Sequence, residues 1–367
     1  MSARFLTVVL ERAFNMRDGF GREIDYMRIS VIDSCNLNCY YCNPCDNNEH
    51  CHALNILSVK EVLCIVRAAT RLGIKHFRLT GGEPLLHPQL DEMVLQIKKI
   101  PGVSSVSLTT NAVLLVQHAK WLKEAGIDSI NVSLDTIDAS EYERITKKPL
   151  LEEVKHGINA AIECGIRVKI NVVLTPQTDV VALTRYASKK GTDIRFIEMM
   201  PVGEGHTNGV EPYEKVIGAL LEVYGTPCHI DTENREEINS GYNNSDNGPA
   251  EYYSFHGLNI RVGLIQAIHG KFCDTCNRIR VTADGRLMPC LGSSVTMDLV
   301  PDSWDFADDV EKDFAIVRAL RAAIKAKPRC HNFNDNAVTY TKTTETKTTE
   351  IEAAEVNAAR NMSRIGG

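Results

Sequence analysis

The stretch SCNLNCYYC, residues 34–42, places Cys35, Cys39 and Cys42 at C-x-x-x-C-x-x-C spacing. Soft ligands this dense point to a metal, and the number of ligands decides the chemistry. An iron–sulfur cubane takes four cysteine thiolates, so a trio leaves one iron open to a small molecule. A structural zinc ion takes four protein ligands, and His50 or Cys45 could complete it. A thioredoxin-like C-x-x-C needs only two cysteines. Plain core packing is disfavoured, because Asn36, Asn38, Tyr40 and Tyr41 interleave the thiols.

A second group lies in KFCDTCNRIRVTADGRLMPCL, residues 271–291, with Cys273, Cys276 and Cys290 as C-x-x-C-x13-C. Spacing this open admits zinc, with Cys330, His269 or His331 as fourth ligand, as readily as a cluster. Arg278 and Arg280 alternate along an expected strand and so share a face. Asp284-Gly285 after them signals a hairpin turn. Two guanidiniums beside a metal make a seat for an anion; solvated basic residues are the plainer alternative.

Such groups need a frame. Runs at 27–32, 76–80, 105–110, 129–135, 167–174 and 193–200 read as strands, and 58–73, 88–100, 116–126 and 151–165 between them as helices. In the first helix Val59, Val62, Leu63, Val66 and Ala69 recur at i, i+3, i+4 spacing, which buries one face. Gly73, Gly126 and Gly165 stand where helices are expected to end. Strand–helix alternation at this period means an α/β fold with a parallel sheet. About six such units, without a G-x-G-x-x-G, predict a partial (β/α)6 barrel of the TIM type. From about residue 230 the rhythm breaks, and a smaller α+β domain with a helix at 309–327 is expected. The expected division is 19–230 for the barrel, 231–338 for the second domain and 339–367 for a flexible tail, whose Thr/Lys/Glu bias cannot build a core.

The 367 residues are 44% hydrophobic and 24% charged, enough for a core that needs no disulfides. No apolar run approaches the ~18–20 residues of a membrane span. Glu11 and Arg12 interrupt the apolar patch near the start, so no signal peptide is read. Twelve cysteines without a leader fit a reducing compartment, and a cytoplasmic location is expected. A net charge of −6 repels polynucleotides, so an anionic partner must be held by local basic residues.

On these residues a resemblance becomes specific. MRISVIDSCNLNCYYCNP resembles the opening motif of the radical S-adenosylmethionine (radical SAM) superfamily, with an aromatic residue, Tyr41, before the last cysteine. In that superfamily the open iron chelates the amino and carboxylate groups of SAM. LTGGEPLLHP, residues 79–88, resembles the second motif, whose Gly-Gly-Glu-Pro turn contacts the SAM amino group; alone it is only a turn after a strand. The tail FC-x-x-C-x-R-x-R-x-T-x-DG-x-L-x-x-CL narrows the resemblance to the GTP 3′,8-cyclase family of molybdenum-cofactor (molybdopterin) biosynthesis. DGFGR (18–22), TTN (109–111), NVSLDT (131–136), VKINVV (168–173), RFIEMMPVG (195–203) and KPRCH (327–331) fit the same family. The likeness runs from about Gly19 to Leu291 and returns at Gly366-Gly367.

The resemblance implies two 4Fe–4S clusters, one on Cys35, Cys39 and Cys42 and one on Cys273, Cys276 and Cys290, the second with its open iron on guanine. It implies SAM contacts at Tyr41, Gly82, Ser133 and Met200, and GTP contacts at Arg28, Arg78, Thr109, Lys169, Arg278, Ile279 and Arg280. Arg28, Arg78 and Lys169 suit that role as cations on apolar strands, where burial demands a counter-charge. A triphosphate supplies one; a salt bridge is the alternative for any single residue. No side chain is assigned as a catalytic acid or base. The implied reaction is that of a lyase. Reductive cleavage of SAM gives a 5′-deoxyadenosyl radical that takes the 3′ hydrogen of GTP, and the product is (8S)-3′,8-cyclo-7,8-dihydroguanosine 5′-triphosphate. A reductant, protein or small molecule, is the further expected partner, and a homodimer is left open. The Gly-Gly end resembles a tail that enters the active site, where absent side chains suit a narrow channel.

Two departures from the family stand out: Ala112 follows Asn111 where a glycine is usual, and the stretch before SRIGG is atypical. Cys64 and Cys164 are expected in the core, while Cys45, Cys51, Cys228 and Cys330 have no assigned role. Two other functions compete: a radical SAM peptide-modifying enzyme with an auxiliary cluster, and a non-catalytic zinc-binding module.

Overall fold

The computed structural model describes residues 16–42, 55–202, 210–230, 248–293, 296–299, 309–331 and 333. Cys45, Cys51, the expected tail at 339–367 and its Gly366-Gly367 end lie outside the described residues.

In chain order come β1 (Tyr26–Ser30), α1 (Val59–Thr70), β2 (His76–Thr80), α2 (Leu90–Lys98), β3 (Ser105–Thr110), α3 (Leu115–Glu124) and β4 (Ser129–Ser133). Next are α4 (Ala139–Thr146), α5 (Leu151–Glu163), β5 (Arg167–Val173), α6 (Val180–Lys190), β6 (Asp193–Ile197) and α7 (Pro212–Tyr224). The remainder is β7 (Cys228–Ile230), β8 (Glu251–Ser254), β9 (Val262–Ile265), β10 (Arg278–Val281), β11 (Arg286–Met288), β12 (Met297–Asp298) and α8 (Asp309–Lys325). All the expected strands of the first 200 residues form. Helix α1 begins on a capping box, in which Ser58 accepts the Glu61 N–H and Glu61 accepts the Ser58 N–H. Gly73, Gly126 and Gly165 each take a positive φ just past a helix, as a left-handed cap requires.

The strands form one sheet in the order β12-β11-β10-β1-β2-β3-β4-β5-β6-β9-β8-β7. Strands β1 to β6 pair in parallel with their sequence neighbours. Later strands extend the same sheet on both flanks, β10 parallel to β1 and β9 parallel to β6. Helix α8 packs on α1, with Arg71 and Asp313 paired at 2.9 Å.

Parallel strands are usually apolar on both faces, because helices cover both. Here one face is polar. Met27 and Ile29 of β1 are fully buried in the core with α1, whereas Tyr26 and Arg28 line a cavity. Phe77 and Arg78, Val106 and Ser107, Ile130 and Asn131, Val168 and Lys169, and Ile194 and Arg195 repeat the alternation on β2 to β6. Side chains from eight parallel strands thus reach one cavity of about 360 Å³, so the sheet curls around it as a partial barrel. Cys64 lies in the core and Cys164 packs against it, as expected. Among the described residues no helix is long and apolar enough to cross a membrane.

Candidate active site

Both cysteine trios line this cavity. Strands β1 and β10 run parallel, with Tyr26 opposite Arg278 and Arg28 opposite Arg280. The first trio follows the end of β1, and Cys273 and Cys276 precede the start of β10, so the trios stand at opposite ends of one strand pair.

Motifs remote in sequence meet at the first trio. Asn38 and Tyr40 donate backbone hydrogen bonds of 3.0 and 3.1 Å to the carbonyls of Thr146 and Ile145 at the end of α4. The Gly-Gly-Glu-Pro turn follows β2, and its glycines are obligatory. A Cβ on Gly82 would stand 2.1 Å from the Ser34 carbonyl oxygen, and one on Gly81 2.4 Å from that of Ile32. That closeness lets the Gly82 N–H reach Ile32 O at 2.8 Å and the Glu83 N–H reach Ser34 O at 2.7 Å. Glu83, buried, accepts from Thr110 Oγ1 at 2.6 Å, Asn111 N at 2.7 Å and Leu85 N at 3.0 Å. Burial pushes its carboxyl up to about 7 despite those bonds. Asn111 in turn donates Nδ2 to Asn36 Oδ1 at 2.7 Å, with Cys35 Sγ at 3.9 Å. Glu83 therefore joins three motifs, a positioning role that its place in the turn motif could have signalled.

Tyr41 donates its hydroxyl to Asp135, whose other oxygen accepts the Val173 N–H at 2.8 Å. Burial pushes Asp135 up to about 6. Burial also raises the thiols, Cys35 to about 12 with Glu83 adding to it, and Cys42 to about 11 with Asp135 adding to it. Bound iron would hold these sulfurs as thiolates. This end of the cavity is acidic.

The second trio sits among cations. Lys327, 2% exposed, donates to the carbonyls of Arg278 and Pro289, both at 2.8 Å. Arg22, oriented by Asp18 at 2.5 Å, donates to the carbonyls of Cys273 (2.6 Å), Pro328 (2.6 Å) and Arg329 (2.9 Å). DGFGR and KPRCH are thereby clamped to the cysteine loop. Burial alone would raise the Cys276 thiol, yet Lys327 and Arg278 bring it below its usual value.

Between the trios the cavity wall is cationic. Arg28, Arg78, Lys169, Arg195 and Arg280 project from β1, β2, β5, β6 and β10. Burial, then Arg195 and Arg167, push the Lys169 ammonium down to about 5; burial, then Arg278, push Arg280 down to about 10. Cations that depress one another in this way call for an anion. Arg195, which was not among the expected contacts, is 5% exposed, and its Nη2 has no hydrogen-bond partner among the described residues. The period-two alternation that places Lys169 on this face also places Arg195 there, and that was its signal.

Tyr41, Gly82, Ser133 and Met200 line the cavity, as do Arg28, Arg78, Thr109, Lys169, Arg278 and Arg280. Ile279 does not. Alternation along β10 turns its side chain into the core, where it is fully buried. Ala112, in place of the usual glycine, keeps the turn by adopting a φ of 65°, fully buried. Among the described residues only Cys273, Cys330 and His331 bring three ligand atoms within 4.8 Å. Neither trio is that tight, and thiols spread wider than one tetrahedral ion's shell suit a four-iron cube.

The sequence matches the radical SAM superfamily over residues 29–184 and Molybdenum Cofactor Synthesis C over residues 192–333. It is 36% identical over 322 residues to GTP 3′,8-cyclase of Clostridium perfringens (strain SM101 / Type A), covering 87% of this chain and 95% of that one. The chain belongs to the GTP 3′,8-cyclase family. A second GTP 3′,8-cyclase, from Moorella thermoacetica (strain ATCC 39073 / JCM 9320), is 38% identical over 326 residues, covering 87% and 96%. The radical SAM superfamily carries a 4Fe–4S cluster with SAM, and the GTP 3′,8-cyclase family a second cluster; the two trios fit both. A crystal structure of Streptococcus suis SuiB bound to S-adenosylmethionine shares the fold, with a TM-score of 0.54 at 17% identity over 81% of this chain and 65% of that chain, just under two thirds of its length.

Proposed function

We propose that this chain is a radical SAM lyase that closes GTP to (8S)-3′,8-cyclo-7,8-dihydroguanosine 5′-triphosphate in molybdenum-cofactor biosynthesis. One observation carries the reading: a single cavity bears a thiol trio at each end and a cationic wall between them. When bound, the clusters and SAM supply the one-electron chemistry, giving the 5′-deoxyadenosyl radical that takes the GTP 3′ hydrogen. The chain supplies position and charge. Residues 19–230 hold the SAM end: Cys35, Cys39 and Cys42 would hold the first cluster, and Tyr41, Gly82, Ser133 and Met200 line the space beside it. Asp135 and Glu83 keep that end acidic, which suits a sulfonium ion. Cys273, Cys276 and Cys290, in the segment 231–338, would hold the second. Arg28, Arg78, Thr109, Lys169, Arg278 and Arg280 face the triphosphate, and the backbone beside Ile279 lies between the two arginines of β10. An electron donor, protein or small molecule, is the third partner, and a cytoplasmic setting keeps the thiols reduced.

A peptide-modifying enzyme has no use for this cationic wall, and family membership sets the zinc module aside. Anaerobic protein incubated with a reductant, SAM and GTP should yield methionine, 5′-deoxyadenosine and a cyclised isomer of GTP. Formation of 5′-deoxyadenosine that is indifferent to GTP, with no nucleotide product, would overturn the substrate.

A further inference from the structure

Cys330 has no part in either trio, yet the fold delivers it to the second. Its Sγ lies 3.1 Å from that of Cys273, fifty-seven residues away in sequence. The next residue, His331, completes the group, with all three ligand atoms within 4.8 Å of one another. The His331 backbone N–H also bonds the Cys273 sulfur. His331 Nε2 is committed to the Ala267 carbonyl at 2.7 Å, which fixes the ring. That leaves Nδ1, a buried atom without a hydrogen-bond partner among the described residues, as the free lone pair. The placement is built in, because Arg22 bonds the Cys273 carbonyl and those of Pro328 and Arg329, and Lys327 bonds those of Arg278 and Pro289.

We propose that Cys273, Cys330 and His331 form a single-ion site for a soft divalent cation such as zinc, which shares Cys273 with the second cluster and so excludes it. Two thiolates and an imidazole are a zinc-type donor set, and water can take the fourth position. Ligand atoms of one tetrahedral ion stand about 3–4 Å apart, as bond lengths of about 2.0–2.3 Å dictate. Thiolates on different irons of a cube are spread wider. The first occupant of Cys273 therefore decides which site is built. This exclusion rests on the cluster assigned above; the ion site itself does not.

The test uses cluster-free, full-length protein with Cys35, Cys39 and Cys42 changed to Ser, titrated anaerobically with cobalt(II) and then displaced with zinc. One equivalent should bind with a thiolate-to-cobalt charge-transfer band. Cys330→Ser and His331→Ala should each weaken zinc binding about tenfold or more, while Cys290→Ser changes it less than about twofold. His331→Cys, which keeps three ligands, should restore tight binding and guards against a mere folding defect. Unchanged affinity in both Cys330→Ser and His331→Ala would overturn the site. In a second arm, zinc-loaded wild type given ferrous iron and sulfide should take about four irons, and Cys330→Ser about eight despite zinc. Equal uptake by the two overturns the exclusion. Wild type that takes about four irons even without zinc would count against the second cluster, and the cobalt titration then decides the ion site alone.

Discussion

The two cysteine trios share a cavity but not an electrostatic climate. Around Cys35, Cys39 and Cys42 the close charged neighbours are the carboxyls of Glu83 and Asp135, and burial holds the thiols high. Around Cys276 the neighbours are Lys327 and Arg278, which carry its thiol below the usual value against burial. The difference teaches which ligand belongs where. A sulfonium cation gains at the acidic end and a triphosphate at the basic one, so one cavity can order two unlike molecules without exchanging their seats.

The sharpest way to break this contrast is to remove one end. Cys39→Ala should abolish 5′-deoxyadenosine formation and lower iron from about eight to about four per chain, while GTP still binds; iron analysis and product chromatography check it. Loss of GTP binding in the same variant would mean that the two ends are not separable. A less drastic exchange sets charge against charge. Arg280→Ala should weaken GTP binding about ten- to a hundredfold, for about 1.5–3 kcal/mol of charge-assisted hydrogen bonding lost, with SAM affinity unchanged. Asp135→Asn should do the reverse, weakening SAM several-fold and leaving GTP alone. Calorimetric titration of both variants with both ligands fills the comparison.

Protons sharpen it further. Burial, then Arg195 and Arg167, push the Lys169 ammonium down to about 5, so of the wall's cations it is the one that most readily gives up its proton when no anion is bound. Polyphosphate raises its pKa, so binding takes up to about one proton, and GTP affinity falls as pH rises above about 5, by at most about tenfold per unit. Binding heats measured in buffers of different ionisation enthalpy report that uptake, and Lys169→Met should erase it. At the other end the sign inverts. Asp135 titrates near 6, so SAM affinity falls as pH drops below it.

The smallest expected effect concerns Ala112. Its φ of 65° favours glycine, so Ala112→Gly should raise stability by less than about 1 kcal/mol in denaturant unfolding. A loss of stability would show that the buried methyl packs better than the backbone is strained.

Much of this was legible in the chain. The period-two polar residues in MRIS, HFRLT and RVKIN placed Arg28, Arg78 and Lys169 on strands and onto one face. Arg195 follows the same rule but sat in a motif read for Met200. Helices α6 and α7 were implied by the six strand–helix units but not located in the sequence. Thr184 interrupts the buried stripe of α6, and Leu221 and Val223 on α7 are exposed, so neither shows a clean apolar face. The pairing of β10 with β1 and β9 with β6 joins segments far apart in sequence, and no local pattern records such partners. Cys330 was legible only as one of three candidates for a fourth ligand; that it meets Cys273 was not, since the clamp made by Arg22 joins segments far apart in sequence.

The most direct test follows hydrogen across the cavity. GTP labelled with deuterium at the 3′ carbon, turned over anaerobically with unlabelled SAM, should deliver deuterium to 5′-deoxyadenosine, read by mass spectrometry, as the nucleotide cyclises. Unlabelled 5′-deoxyadenosine, formed while the nucleotide keeps its 3′ deuterium, would contradict a cavity that seats the two molecules side by side.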